Sequence, residues 1–276
     1  MLDRRGLLAG SAALMAAGGA RAQTSSPDLD LTGRFVQGGH VIGRTWPRAL
    51  VFVDGESLTA ASADGWFIVG FDRDAPGSVQ IETRSEGRSA SRVLNIATGT
   101  FPSTVVNGLP PSTVEPSDPT LLARIQREVV LKTEGFASRI DGDGFKDGFI
   151  WPLETYRVTS RWGSQRVLNG TPARPHYGID LAAPQGSAIR APAPGRVTLA
   201  QPSLHFEGGL VLIDHGQGLI TAYLHQSRLE VRPGQDLMRG DLIGRVGMTG
   251  RATGPHLCWR MKWRDRNLDP SLLVKT

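Results

Sequence analysis

Cysteine is almost missing from this 276-residue chain. Cys258 stands alone, so no internal disulfide can staple the fold. A single thiol in an oxidising compartment needs some other protection, and a bound metal is one form of it. Aromatic residues make up only 7%, against 34 glycines and 18 prolines, a balance that fits a turn-rich β protein. No Lys/Arg cluster interleaves with aromatics, which excludes the usual footprint of a nucleic-acid binder. Charge of one sign is also scarce, at a net +5 over the whole chain. That excess would help approach to anionic envelope polymers by screened attraction, and an ordinary soluble surface accounts for it equally well. The apolar stretch LLAGSAALMAAGGA, 14 residues long, is too short to span a bilayer. No transmembrane segment is therefore expected in the mature chain.

That stretch reads instead as the middle of an export signal. MLDRRG before it is a positive n-region, and Ala20-Arg21-Ala22 fits a small-x-small cleavage site. The signal is placed at residues 1–22, with the mature chain starting near Gln23. Arg4 and Arg5, followed by Gly6-Leu7-Leu8, resemble a twin-arginine signal. Two arginines are equally ordinary in a Sec n-region, so both routes stay open. On either route the protein is exported to the periplasm or cell envelope. The first 22 residues carry a net +2 from Arg4, Arg5, Arg21 and Asp3, so the mature chain keeps +3.

Residues 28–100 are expected to form a small β-sandwich-like domain. VIGRTWP, ALVFVDG, WFIVGFD, SVQIETR and RVLNIA are short, rich in Val, Ile and Phe, and about ten residues apart. Asp54-Gly55 and Asp64-Gly65 are hairpin-turn dipeptides. A domain of this size is marginal alone, so packing on the remainder is expected. Its expected roles are spacing, docking to a partner or shielding a groove. Residues 101–148 form a linker. Its first part, FPSTVVNGLPPSTVEPSD, has linker composition. Ser117 or Asp118 can then cap a helix with Pro119 in the first turn. Leu121, Leu122, Ile125 and Val129 follow at helical spacing, which predicts a helix over 118–138. DGDGFKDG at 141–148 lacks the ligand spacing and distal Glu of a calcium loop and reads as a tight solvated turn.

The chemistry is concentrated further on, in residues 150–272. RPHYGIDLAAP contains His176 and Asp180, TAYLHQS contains His225, and TGPHLCWRM contains His256 and Cys258. If HYGID is extended, His176 and Asp180 share one face. By the same rule His256, Cys258 and Arg260 share a face of a second strand, while Leu257, Trp259 and Met261 point into a core. Two strands can therefore offer three ligands to one metal and leave a fourth tetrahedral position open, as a catalytic zinc site requires. Each residue also has a plainer reading. A lone strand cysteine is usually a small buried apolar residue. His176 with Asp180 could be a structural hydrogen-bonded pair, and His225 a satisfied surface histidine. Arg260 shares the site face, where it could touch substrate or simply be exposed. His205 and His215 sit in turn-like contexts and read as structural; His40 lies outside this part.

Taken together, HYGID at 176–180, YLH at 223–225 and GPHLC at 254–258 resemble the LytM/lysostaphin-type zinc metallopeptidases, which cut peptidoglycan peptides. SRWGSQR, APAPGRVTLA, VLIDHGQGLITAYLH and VRPGQDLMRGDLIGRVGMTG continue the resemblance over residues 150–272. It implies a C-terminal antiparallel β peptidase domain behind the N-terminal sandwich and connecting helix, in a mainly β protein. It implies zinc as cofactor, with His176 and Asp180 as ligands. His225 and His256 take the roles of the two non-ligand histidines that polarise water and stabilise the transition state. The third ligand, a histidine in the family, is Cys258 here. A thiolate binds zinc but donates more charge than imidazole, so bound water would be acidified less than to the ~7 of His-rich sites. The implied function is an exported peptidoglycan peptide hydrolase in which zinc-bound water attacks a cell-wall peptide bond. The alternative is a catalytically weak or inactive LytM-like module that binds peptidoglycan or regulates another cell-wall hydrolase as its partner.

Overall fold

The computed structural model describes residues 28–275. The export signal expected at 1–22 lies outside them. Among the described residues, no helix is long and apolar enough to cross a membrane.

The chain is mainly β. Strands β1 (Asp30–Arg34), β2 (His40–Arg44), β3 (Leu50–Val53), β4 (Glu56–Ala60), β5 (Trp66–Gly70), β6 (Ser78–Ser85) and β7 (Arg88–Asn95) come first. They form two antiparallel sheets, β1-β2-β5 and β4-β3-β6-β7. Alternation explains the burial: along β6, Val79, Ile81 and Thr83 are buried and their neighbours are not. Asp54 and Gly55 both take positive φ, 51° and 86°, in the β3–β4 turn. That is the two-residue hairpin geometry the Asp-Gly pair favours. β1 and β4 have no strong apolar run and are formed by pairing with neighbours.

The Pro/Ser/Thr-rich segment after these sheets is less loose than its composition predicts. β8 (Ser103–Val106) lies parallel to β10 (Gln165–Leu168), and a short 3-10 turn follows at Pro111–Thr113. Leu109 is buried, and its backbone N–H and C=O bond the two ends of the Asn169 side-chain amide at 3.2 and 2.8 Å. Helix α1 (Pro119–Phe136) starts where Asp118 accepts the Leu121 N–H at 2.7 Å, a side-chain N-cap with proline in the first turn. Its apolar spacing is not its buried face: Leu122 and Val129 are 45% and 41% exposed. The helix meets the sheet through Gly135 and Phe136. It also buries Glu128, which accepts from Arg124 and from the His205 backbone N–H.

The remaining strands are β9 (Arg157–Ser160), β11 (Thr171–Ala173), β12 (Ile179–Ala182), β13 (Ala188–Arg190), β14 (Gly195–Leu204), β15 (Gly208–Asp214), β16 (Leu219–Gln226), β17 (Arg228–Leu229), β18 (Asp236–Leu237), β19 (Leu242–Arg245), β20 (His256–Trp263) and β21 (Arg266–Leu268). The main sheet runs β18-β14-β15-β16-β20-β12-β9, with β21 paired to β20. Its two faces differ. One contributes Val211, Ile213, Leu219, Tyr223, Leu257, Trp259, Met261 and Trp263 to the main apolar cluster. That cluster continues into Val41, Phe67 and Val69 of the first two sheets. The other face carries a smaller cluster, Leu199, Leu210, Leu212, Ile220, Ala222 and Leu224 against Phe136. This smaller cluster also contains Cys258.

The turn at 141–148 is solvated at its rim, where it carries ion pairs, and is anchored by the buried Phe145 and by the Gly144 N–H on His215 O at 2.9 Å. Asp141 meets Arg48 at 2.6 Å and Asp143 meets Lys146 at 3.3 Å.

Candidate metal centre

Strands β12 and β20 are antiparallel neighbours, and their register sets Asp180 directly opposite Cys258. Cross-strand partners on one face lie close enough to share a ligand. His176 stands just before β12 rather than in it. Its position is fixed by backbone bonds, His176 N–H to Ser164 O and Gly163 N–H to His176 O, both 2.8 Å. The ring returns so that His176 Nε2 lies 3.2 Å from Asp180 Oδ1 and 3.3 Å from Cys258 Sγ. Gly178 makes room for this. A Cβ there would stand 3.0 Å from Cys258 Sγ and 2.8 Å from the Arg260 side chain.

These three donor atoms lie within 4.8 Å of one another, and all three residues are buried. Among the described residues no other such group of His, Cys, Asp and Glu occurs. Asp180 Oδ1 is buried without a well-aligned hydrogen bond; its polar contacts are His176 Nε2 at 3.2 Å and His256 Nε2 at 3.8 Å. A buried carboxylate oxygen among imidazole nitrogens suits a cation held between them. Tetrahedral zinc with ordinary bond lengths would separate such donors by about 3.3–3.6 Å; His176 Nε2 stands at 3.2 and 3.3 Å from the other two, and a nitrogen, oxygen and sulfur donor set suits that ion. The surrounding bonds orient these three side chains. Ser160 Oγ contacts His176 Nδ1 at 3.0 Å, and Arg166 donates to Asp180 Oδ2 at 2.8 Å. Partners of this kind fix ligand orientation in metal sites. Burial alone would raise the Asp180 carboxyl, but His176, Arg166 and His256 hold it well below the usual carboxylate range.

His225 and His256 stand beside this group, with ring centroids 4.7 Å apart. His256 Nε2 is 3.8 Å from Asp180 Oδ1. Each ring uses Nδ1 on a backbone carbonyl, His225 on Thr249 O and His256 on Gly254 O, both at 2.8 Å. A carbonyl only accepts, so Nδ1 carries the hydrogen and Nε2 keeps its lone pair. Burial, partly offset by the Thr249 bond, lowers His225 to about 4. Burial also lowers His256. His225, next to last in β16, has φ of 66°. A non-glycine residue there is uncommon and concentrates at functional positions.

The sequence-predicted residues His176, Asp180, His225, His256 and Cys258 are thus gathered in one place. His205, bonded to Ser112 O, and His215, bonded to Pro194 O and Thr221, lie in other surroundings. So does His40. Arg260 is turned inward, with Nε 3.4 Å from Cys258 Sγ. Sequence reasoning missed Ser160, Arg166 and Thr249. Ser160 reaches the site only because β9 pairs with β12, and Arg166 only because the β10–β11 hairpin folds over it. No local spacing signals either.

Comparison with known proteins agrees with this geometry. The model of peptidase family M23 matches residues 174–270. The chain is 35% identical over 129 residues to the peptidoglycan DD-endopeptidase ShyA of Vibrio cholerae, covering 46% of this chain and 30% of that one. It is 38% identical over 126 residues to the DD-carboxypeptidase/endopeptidase Mpg of Neisseria meningitidis, covering 45% and 29%. The chain therefore spans less than a third of these curated relatives. A crystal structure of a Pseudomonas aeruginosa protein described as a peptidase M23 superposes with a TM-score of 0.67 at 28% identity. That match covers 87% of this chain and 95% of the other. The mainly β chain thus carries, at residues 174–270, a LytM-type domain of peptidase family M23.

Proposed function

We propose that the protein is an exported zinc endopeptidase that hydrolyses peptide bonds of peptidoglycan. The observation that carries this reading is the convergence of His176 Nε2, Asp180 Oδ1 and Cys258 Sγ within 4.8 Å beside two histidines with free Nε2 lone pairs. His176, Asp180 and Cys258 would hold the metal. Zinc, when bound, supplies Lewis acidity toward a carbonyl oxygen and toward water. Arg166 keeps Asp180 oriented and ionised, and Ser160 fixes the His176 ring. His225 and His256 divide the proton work at Nε2. One ring accepts a proton from the attacking water at its free Nε2 and, protonated by that transfer, passes it to the leaving amine; the other, with its own Nε2 lone pair, orients the water as a hydrogen-bond acceptor. Their lowered basicity keeps both rings neutral, and so able to accept, at neutral pH. The relatives' names support peptidoglycan as substrate and hence an envelope location. Replacing Arg4 and Arg5 together with Lys separates the routes: export fails only on the twin-arginine path.

Cys258 supports a second reading, a non-catalytic module that binds peptidoglycan or regulates another cell-wall hydrolase. Its thiolate and Asp180 together would neutralise the metal and weaken its Lewis acidity. One experiment separates the two: zinc content and peptidoglycan digestion on mature protein purified reduced and loaded with zinc. About one zinc per chain with released peptides, both abolished in Cys258→Ala, establishes the enzyme. A folded protein with neither metal nor digestion overturns it in favour of the module.

A further inference from the structure

A cavity of about 540 Å³ opens beside the metal centre, bordered by His225 and by Arg166, Arg174, Arg251 and Arg260. Glu207 is the one acid in its wall, and Lys132 pairs with it at 2.6 Å. Arg166 is held by Asp180 at 2.8 Å and Arg260 lies 3.4 Å from Cys258 Sγ, which leaves Arg174 and Arg251 facing the cavity with no ion pair among the described residues. Arginine cannot shed its charge by deprotonation. A cavity of this kind is therefore completed by an anion from outside the chain.

Arg251 is the best placed of the four. Its Nη1 donates to Thr113 O at 3.0 Å, and its guanidinium lies 5.1 Å from the centroid of the Phe206 ring. These contacts orient the fork while leaving further N–H groups to donate. Burial first, then the nearby Arg260 and Arg166, lower its pKa, against smaller opposite pulls from Glu207 and Cys258. Arg251 and Arg166 also border a smaller cavity of about 70 Å³ shared with Asp180, His225 and His256. The same two side chains therefore stand next to the reacting centre and the larger cavity.

We infer that this cavity binds a free carboxylate of the peptide being cut, with Arg251 as its principal donor, so that the site selects acidic peptides. A planar guanidinium pairs with a carboxylate through two parallel hydrogen bonds, a geometry a lysine does not reproduce. The inference rests on the peptidase reading and deepens it.

The test uses the zinc-loaded full chain and cross-linked peptidoglycan peptides, untreated or with carboxylates converted to carboxamides. For the wild type, amidation should lower kcat/KM by roughly 10–100-fold. Arg251→Ala should lose as much on untreated peptides and no longer distinguish the two. Arg251→Lys should recover only part. Equal cleavage of both peptides by the wild type overturns the inference and leaves the peptidase reading standing. If neither peptide is cleaved, that reading fails, and co-sedimentation with insoluble peptidoglycan tests the anion site alone. Retention should then fall on amidation and in Arg251→Ala, but not in Arg232→Ala, which removes the same charge from an exposed position. Retention lost equally in both variants marks general charge attraction and overturns the inference.

Discussion

The two faces of β20 differ in what their residues are for. Leu257, Trp259, Met261 and Trp263 are at most 1% exposed and belong to the cluster shared with the N-terminal sheets. His256, Cys258 and Arg260 alternate with them and turn toward donor atoms and cavities on the other side. A single step along the strand reverses the side chain's direction, so residues adjacent in sequence divide packing from chemistry. The apolar face needs volume and tolerates no gap. The polar face holds groups at fixed distances, Cys258 Sγ 3.3 Å from His176 Nε2 and His256 Nε2 3.8 Å from Asp180 Oδ1. Substitutions on one face should therefore leave the other face's observable unchanged.

The largest effect is expected on the chemical side. His225→Ala and His256→Ala should each lower kcat/KM by ~10²–10⁴-fold, with zinc content and unfolding midpoint near those of the wild type. Cys258→Ala should instead lose the metal. Full activity in both histidine variants would sink the division of proton work between them. On the packing side, Trp263→Ala should cost about 3–5 kcal/mol in urea unfolding, while the folded fraction still binds about one zinc. Loss of zinc from that folded fraction would break the separation of the two faces.

Acid sharpens the comparison from the packing side. Burial lowers His40 and His215 to about 4 from an ordinary 6.5. Between these values the unfolded chain binds protons at both residues and the folded chain does not. Stability therefore rises with pH through this window and is lost as pH falls from about 6.5 toward 4. Each histidine should account for about 3 kcal/mol of that loss. Unfolding midpoints across the window measure it, and replacing His40 with Gln should flatten part of the slope. An unchanged slope would show that His40 is protonated without opening the fold.

Arg166→Ala should have a smaller effect, confined to the site. It frees Asp180 Oδ2 from its 2.8 Å bond, and loss of such an orienting partner weakens metal affinity by about 10–100-fold. Competition with a chelator reads this directly. Unchanged affinity would mean that β12 alone orients the carboxylate.

The split between faces was legible in the sequence; the scaffold around the site was less so. Period-two alternation in HLCWRMKW separates the site face of His256 and Cys258 from the core face of Trp259 and Met261, and pairing with β12 agrees with it. The His-x-x-x-Asp spacing brought His176 and Asp180 to one point, although His176 precedes the strand and is held there by loop bonds. Arg166 was not legible, because a hairpin remote in register delivers it. Composition misled over residues 103–113. Proline and serine signal irregular chain, yet pairing with β10 and the Asn169 amide hold that chain against the site. The exposed apolar positions of α1 show a similar limit: helical spacing predicted the helix, while Gly135 and a buried Glu128 set the face it uses.

The Asn169 clamp gives the smallest expected effect and the finest test of the separation. Asn169 has φ of 50°, a conformation asparagine tolerates better than most residues. Its amide bonds both backbone groups of Leu109, and Leu109 borders the same small cavity as Asp180, His225 and His256. Asn169→Ala removes both bonds and places alanine in a less favourable backbone conformation, at a cost of about 1–2 kcal/mol. Because the clamp joins surface segments rather than core layers, the loss should be local. Hydrogen exchange at Leu109 and proteolysis within 103–113 should accelerate, while the global unfolding midpoint shifts far less than in Trp263→Ala. A global loss as large as that of Trp263→Ala would mean that the segment over the site is part of the core's cooperative unit, and the two faces would no longer count as separable.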